Sequence, residues 1–271
     1  MKIHLICDPV WSTGVIAKDL MACIPDKDLH LHHWGHFREF PDDEVLICFT
    51  LTICTRWPHT RKRNSIHVCC GPCELEIPDV KEYFSTKPPL FFAGVSNESR
   101  DLISHTYAYT LPASARAGRF TRGRRPGKRI AGFVGNPNAS SSIKRPEWFL
   151  RICRLHGLTP VFSNTDYTYE SMQNFYDGID YLFVTSSTEG GPLGPFEAAL
   201  CGVPVISTKV GFWGECGMGG YFSDPDDPAI GAWLACANEL SEKQHEIALN
   251  VSTEKLAPIW RSAIDLVARG I

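Results

Sequence analysis

The sequence predicts an α/β protein made of two Rossmann-like, doubly wound domains. Short apolar runs alternate with helix-patterned segments along the chain, the pattern of parallel sheets covered by helices on both faces. That pattern restarts near residue 130, after a basic stretch containing Gly118, Gly123, Pro126 and Gly127. With 271 residues, 44% of them hydrophobic and 21% charged, the chain has room for two modest domains and is not a low-complexity polymer.

In the first half, Ile3 to Cys7 reads as a strand and Gly14 to Cys23 as a helix entered from a Ser12-Thr13-Gly14 loop. Leu29 to His33, Val45 to Leu51, Ile66 to Cys69 and Leu90 to Val95 follow as strands; a helix is expected near Asn97 to Ser104, then Tyr107 to Leu111 leads into the basic run. The expected organisation is a domain over 1–115, a basic linker over 116–129 and a second domain over 130–271. In that second domain Ile130 to Val134 is a buried strand, and Pro146 and Gly157 bracket a helix, since proline suits the first helical position and glycine the residue past the last. Pro160 to Phe162, Tyr181 to Val184 and Val203 to Ile206 read as strands, with helices at Tyr169 to Tyr176 and Phe196 to Cys201. From Ser252 to Ala268, apolar Leu256, Ile259, Trp260, Ala263, Ile264 and Val267 recur at helical spacing, so one face must be covered.

No apolar run approaches the roughly 20 residues of a membrane-spanning helix, and Met1 leads straight into a strand pattern without secretory-signal regions, so a cytoplasmic protein is expected. The eleven cysteines lie mostly in apolar runs, where reduced thiols pack as small hydrophobes. Cys70-Gly71-Pro72-Cys73 has redox spacing, but the alternation of Glu74 to Ile77 and the break expected at Pro78 leave no helix behind it. The net charge of -3 hides an asymmetry: residues 1–130 carry 18 Lys and Arg against 14 Asp and Glu, residues 131–271 carry 9 against 16. Arg61, Lys62 and Arg63, and the run that includes Arg124 and Arg125, are candidate contacts for an anionic acceptor.

The most informative stretch runs from Thr185 to Ile206. A strand ends, a loop with Gly190, Gly191 and Gly194 follows, and a helix opens near Pro195. Glycines let backbone amides approach an anion, and the helix start adds partial positive charge, so a diphosphate is stabilised there. The glycines alone suit a plain strand-to-helix turn equally well. Glu189 and Glu197 add carboxylates eight residues apart, and a carboxylate accepts paired hydrogen bonds from vicinal hydroxyls of a ribose or sugar.

Glu-x7-Glu followed by Ala-Ala-Leu-Cys-Gly-Val-Pro-Val-Ile resembles the donor-site signature of retaining GT-B glycosyltransferases of the GT4 type. The resemblance extends to Ile130 to Gly135 followed by Lys144, to Ile179 to Val184, to Val210-Gly211 with Glu215, and to Tyr221 to Asp227. In the first half it rests on the opening strand with Gly14 and on Val95-Ser96-Asn97-Glu98. It implies the GT-B fold, two domains facing across a cleft, with the last helix packing back on the first domain. It implies transfer of a sugar, with retention and without a metal or cofactor, from a nucleotide-sugar co-substrate such as a UDP-sugar. By position, Glu197 holds the ribose; Glu189 and the stretch Gly190, Gly191, Pro192 and Leu193 hold the sugar and distal phosphate; Lys144 neutralises the diphosphate, and Gly14 and Gly135 let the backbone approach it.

The chain departs from the family at Asn136, where a basic residue is usual, and at Arg145, which stands for a glycine and supplies a compensating charge. No catalytic histidine is assigned, because His67 falls two to three residues early. The chain is also short for the family, mainly in the acceptor-side domain. Two acceptors stay open: DNA with hydroxymethylated bases, or a saccharide or lipid-linked sugar. A sugar-nucleotide epimerase or phosphorylase of the same fold, and a non-catalytic nucleotide-sugar or nucleic-acid binding module, are the competing functions.

Overall fold

The computed structural model describes residues 1–8, 12–36, 39–51, 64–70, 74, 77–86, 91–101, 108–123, 125–135, 143–164 and 167–269. Its contacts divide the chain into two units, and each carries a parallel sheet.

The first unit gathers Met1–Ala115, Glu189–Gly191 and Thr253–Ile271. Its strands β1 (Lys2–Cys7), β2 (Asp28–His33), β3 (Val45–Phe49), β4 (Ser65–Cys69), β5 (Phe91–Gly94) and β6 (Ala108–Thr110) run in the order β2-β1-β3-β4-β5-β6, with every pair parallel. Strands β3, β4 and β5 are buried at every residue, as continuous apolar runs must be when both faces are covered. His67, in β4, is fully buried and shares a 2.9 Å hydrogen bond with Ser65, a pairing that settles a polar ring inside the sheet. On β1 and β2, buried His4 shares hydrogen bonds with His32 (2.9 Å) and Glu44 (2.7 Å), so the histidine-rich strand packs through its polar side chains.

The helices of this unit are α1 (Ser12–Cys23), α2 (Pro78–Thr86), α3 (Asn97–Asp101) and, from the far end of the chain, α10 (Thr253–Ala268). Two expectations need correction. Gly14 lies inside α1 rather than in a loop before it. Pro78 opens α2 instead of breaking the chain, because the first turn needs no amide hydrogen from a proline whose φ already suits a helix. Helix α10 buries Leu256, Ala257, Trp260, Ile264 and Val267, whereas Ile259 is 46% exposed, one helical step off the stripe. The Trp260 indole donates to the Pro112 carbonyl (3.0 Å), Thr253 Oγ1 donates to the Ser114 carbonyl (2.7 Å), and Lys27 pairs with Asp265.

Glu74 joins the carboxyl ends of β3 and β4. Its oxygens accept the amides of Leu51 (2.6 Å) and Cys70 (3.1 Å). Burial pushes its carboxyl up to about 7, despite the opposing bonds from Leu51, Cys70 and Thr50. Thr50 holds φ +117, a costly conformation for a β-branched residue, between those two strand ends.

The second unit comprises Arg116–Thr188 and Pro192–Ser252. Its strands β7 (Ile130–Phe133), β8 (Thr159–Phe162), β9 (Tyr181–Val184) and β10 (Val205–Ser207) run in the order β10-β9-β7-β8, all parallel. Around them lie α4 (Pro146–His156), α5 (Met172–Asp177), α6 (Leu193–Leu200), α7 (Gly211–Glu215), α8 (Ala229–Ala235) and α9 (Ala237–Asn250). Helix α4 begins on Pro146 and ends on left-handed Gly157 (φ +61), as its sequence predicts. Phe133, Phe149, Phe162 and Phe183 interlock in the core at centroid separations of 5.2 to 6.1 Å. The buried Gln244 amide of α9 accepts from Val205 N and donates to Val205 O, both at 2.8 Å, supplying edge strand β10 with the partner that a further strand would provide. Residues 116–129 belong to this unit: the Asp180 carboxylate accepts the amides of Gly127 (2.6 Å), Lys128 (2.9 Å) and Ile130 (2.9 Å).

Two outcomes are expected. Trp260→Ala should destabilise the first unit by about 3–5 kcal/mol, while Trp260→Phe, which mainly loses the indole hydrogen bond, should cost about 1 kcal/mol; chemical denaturation measures both. The raised carboxyl of Glu74 means that the native state holds a proton that the unfolded chain releases first. Its contribution to stability is therefore full below pH 4.5 and is lost as pH rises through about 7. Glu74→Gln removes this loss, so its denaturation midpoint should gain on the wild type across that window, by at most about 3 kcal/mol.

Candidate active site

In the second sheet the strand order reverses between β7 and β9, and open parallel sheets bind ligands outside the carboxyl ends of strands at such a point. Two loops meet there. Thr185, just after β9, donates its hydroxyl to the carbonyls of Lys144 (2.7 Å) and Arg145 (2.9 Å), and Ser187 N donates to the Ile143 carbonyl (2.8 Å). The turn that carries Lys144 is thereby fixed to the loop that enters α6. Gly135, at the end of β7, donates its amide to Ser163 Oγ (3.1 Å). Asn136 lies outside the described residues.

Arg145 caps α4 from the left-handed region (φ 48), and its guanidinium carbon sits 4.3 Å from the centroid of the Trp148 ring. A cation on an aromatic face is restrained in direction but keeps its charge. Helix α6 opens at Leu193 on an extended Pro192, two residues before the expected start at Pro195. Glu197 is thus its fifth residue, beyond the first turn where the helix dipole acts most strongly.

Glu197 is buried, and its partners come from its own unit. Oε2 accepts the Tyr176 hydroxyl at 2.7 Å, and Oε1 lies 3.4 Å from Arg119 Nη1. Burial, and next the Glu197 charge, push the Tyr176 phenol well above its ordinary value, so it stays a neutral donor. Sequence reasoning missed both partners: Arg119 stands 78 residues from Glu197 and Tyr176 stands 21, with no periodicity linking them.

Other expected residues group with the first unit. Gly14 is buried in the first turn of α1, after β1. Glu189, Gly190 and Gly191 form a short excursion of the chain into that unit. A Cβ on Gly190 would lie 2.0 Å from the Cys70 carbonyl oxygen, and one on Gly191 would lie 3.2 Å from Ala113 Cβ. Close packing therefore gives both glycines a reason of their own.

The basic run is largely spent on its own chain. Besides Arg119 on Glu197, Arg122 pairs with Glu242, Arg125 bonds the Asn238 side chain, and Arg129 donates to the His156 carbonyl (2.6 Å). Arg61, Lys62, Arg63 and Arg124 lie outside the described residues, as do residues 71–73 of the Cys-x-x-Cys motif. Burial pushes the Cys7, Cys153 and Cys216 thiols up to about 12, far from nucleophilic readiness. Among the described residues, no helix is long and apolar enough to cross a membrane.

A search of curated proteins finds no match. Solved structures do share the fold. Sucrose-phosphate synthase from Thermosynechococcus elongatus superposes with a TM-score of 0.73 at 12% identity, covering 100% of both chains. An α,α-trehalose-phosphate synthase (UDP-forming) from Burkholderia vietnamiensis gives 0.63 at 11% identity, over 86% of this chain and 74% of that one. A chain of the GtfA/B complex gives 0.57 at 14% identity over 84% of this chain, which spans only 58% of its length. Identities this low speak for fold alone. A family model described as glycosyl transferases group 1 matches residues 129–241, the part that holds Lys144 and Glu197, and the neighbours share the α/β fold.

Proposed function

We propose that the protein is a retaining glycosyltransferase that moves a sugar from a nucleoside diphosphate sugar, a UDP-sugar, to a hydroxyl of a saccharide or lipid-linked sugar. The observation that carries this reading is the buried, hydrogen-bonded Glu197 on α6, beside loops fixed at the switch point of a sheet that matches a glycosyltransferase family. Glu197 accepts the ribose hydroxyls. Lys144, Arg145 and the first amides of α6 face the diphosphate, while Glu189 and the glycine stretch hold the sugar. The UDP-forming synthase among the structural neighbours supports uridine as the base.

In the reaction, the bond between the anomeric carbon and the diphosphate oxygen breaks as the acceptor oxygen bonds to that carbon on the same face. The acceptor proton passes to the departing phosphate oxygen, so this chemistry asks for no carboxylate nucleophile. It asks for charge stabilisation on the leaving group, which a lysine and helix-start amides supply best when water is excluded. The saccharide acceptor is preferred over DNA because the described arginines of the basic run have partners within the chain.

Glu197→Ala should weaken UDP binding by about ten- to a hundredfold, the worth of a charged hydrogen-bonding group. Lys144→Ala should lower kcat by about a hundredfold with a smaller change in donor KM. Calorimetry and steady-state kinetics measure the two, and wild-type values in both variants would discard the assignment. Transfer to saccharide acceptors should respond little to added salt. Transfer confined to hydroxymethylated DNA, with a steep loss of affinity in salt, would replace the saccharide reading. Donor turnover without any acceptor would favour an epimerase or phosphorylase.

A further inference from the structure

We infer that Arg119 and Tyr176 are positioning residues that lock the Glu197 carboxylate for a ribose diol and so set the preference for ribonucleotides over deoxyribonucleotides. The inference rests on the reading of Glu197 as the ribose anchor. It stands on a cluster wholly inside the second unit, where the side chains of Arg119 and Glu197 are only 5% and 6% exposed.

Arg119 is held from three directions. Its Nη2 donates to the Tyr169 carbonyl at 2.8 Å, its guanidinium carbon lies 3.7 Å from the Tyr169 ring centroid, and the Phe120 ring is 4.7 Å away. A guanidinium held between rings has its plane set, and so the direction of its donors. Phe120 meets Tyr176 edge-on at 6.1 Å, so the ring beside Arg119 also packs on the second donor to Glu197. One carboxylate oxygen faces the Tyr176 hydroxyl and the other faces Arg119.

This arrangement answers a specific need. A carboxylate removed from water tends to take up a proton, and a protonated acid no longer accepts from both hydroxyls of a diol. A nearby cation and a neutral phenol keep it an acceptor and fix its rotation about the last side-chain bond. A buried acceptor built to meet a hydroxyl penalises a ligand that lacks one, because the site is left unmatched. A purely structural ion pair would do none of this for a ligand.

Among the described residues, the other titratable groups against the cluster include Tyr169, stacked on Arg119, and Cys201 and Asp177. Burial raises the Cys201 thiol, which therefore stays neutral, and Asp177 accepts from Gln173 at 2.7 Å. The UDP phosphate titrates alike with every variant, so the reading rests on the difference in pH dependence between the wild type and the Arg119 variants.

The test measures UDP and 2′-deoxy-UDP affinity from pH 5 to 8 for the wild type, Arg119→Met, Arg119→Lys, Tyr176→Phe and Glu197→Ala. The wild type should prefer UDP by about tenfold or more, and Tyr176→Phe and Arg119→Met should reduce that preference to about threefold or less. Arg119→Met should lose UDP at a higher pH than the wild type, because the cation that favours the charged carboxylate is gone, and Arg119→Lys should recover part of that shift. In turnover, the donor KM should rise while kcat changes little. Should Arg119→Met fail to fold, the lysine and phenylalanine variants decide the question. Wild-type discrimination and pH dependence in those variants, alongside weakened UDP binding in Glu197→Ala, would overturn the inference alone. Unchanged UDP binding in Glu197→Ala would overturn the ribose-anchor reading beneath it.

Discussion

Parallel pairing of strands is the constraint from which the rest of this structure follows. Two parallel neighbours cannot be joined by a hairpin, so each link crosses a face of the sheet and returns the chain to the same edge. The loops that follow the strands of the second unit therefore emerge at the carboxyl ends of those strands. Reversal of the strand order between β7 and β9 sends their two links to opposite faces and opens a crevice between the loops. The hydroxyl of Thr185 then secures the Lys144 turn at that crevice, using backbone carbonyls that no strand employs.

Charge is managed in the same unit by a consistent device. Glu197 meets a phenol and a guanidinium, Asp180 meets three backbone amides, and Arg129 meets carbonyls at the end of α4. The buried Glu197 and Asp180 are thus answered by groups of their own unit, as removal from water requires. Of the basic run, Arg119, Arg122, Arg125 and Arg129 make contacts within the second unit.

Much of the α/β pattern was legible because continuous apolar runs mark buried strands: Val45 to Phe49 is buried at every residue, and Tyr181 to Val184 is an apolar run with its two middle residues buried. Helix ends marked by Pro146 and Gly157 were legible for equally local reasons. Pro78 misled, because the same residue that breaks a helix in its interior is well suited to its first position, and only the following turn tells the two apart. Ile259 misled because the apolar residues between Ser252 and Ala268 outnumber what one stripe accommodates. In the candidate site, Glu197 was proposed from its eight-residue spacing to Glu189, and Lys144 from the family resemblance alone. Arg119 and Tyr176 were not legible, since a contact between residues far apart in sequence is a product of the fold and leaves no period behind.

Helix α10 has a consequence for the order of events at the ribosome. The first unit starts with the first strand, but its core stays open at Pro112 to Ala115 until Thr253 and Trp260 have been synthesised. Between those times the whole of the second unit is made, and it needs nothing from the tail to close its own sheet. The half translated first is therefore the half completed last, and during elongation its unsealed flank is the surface that a nascent-chain chaperone would encounter.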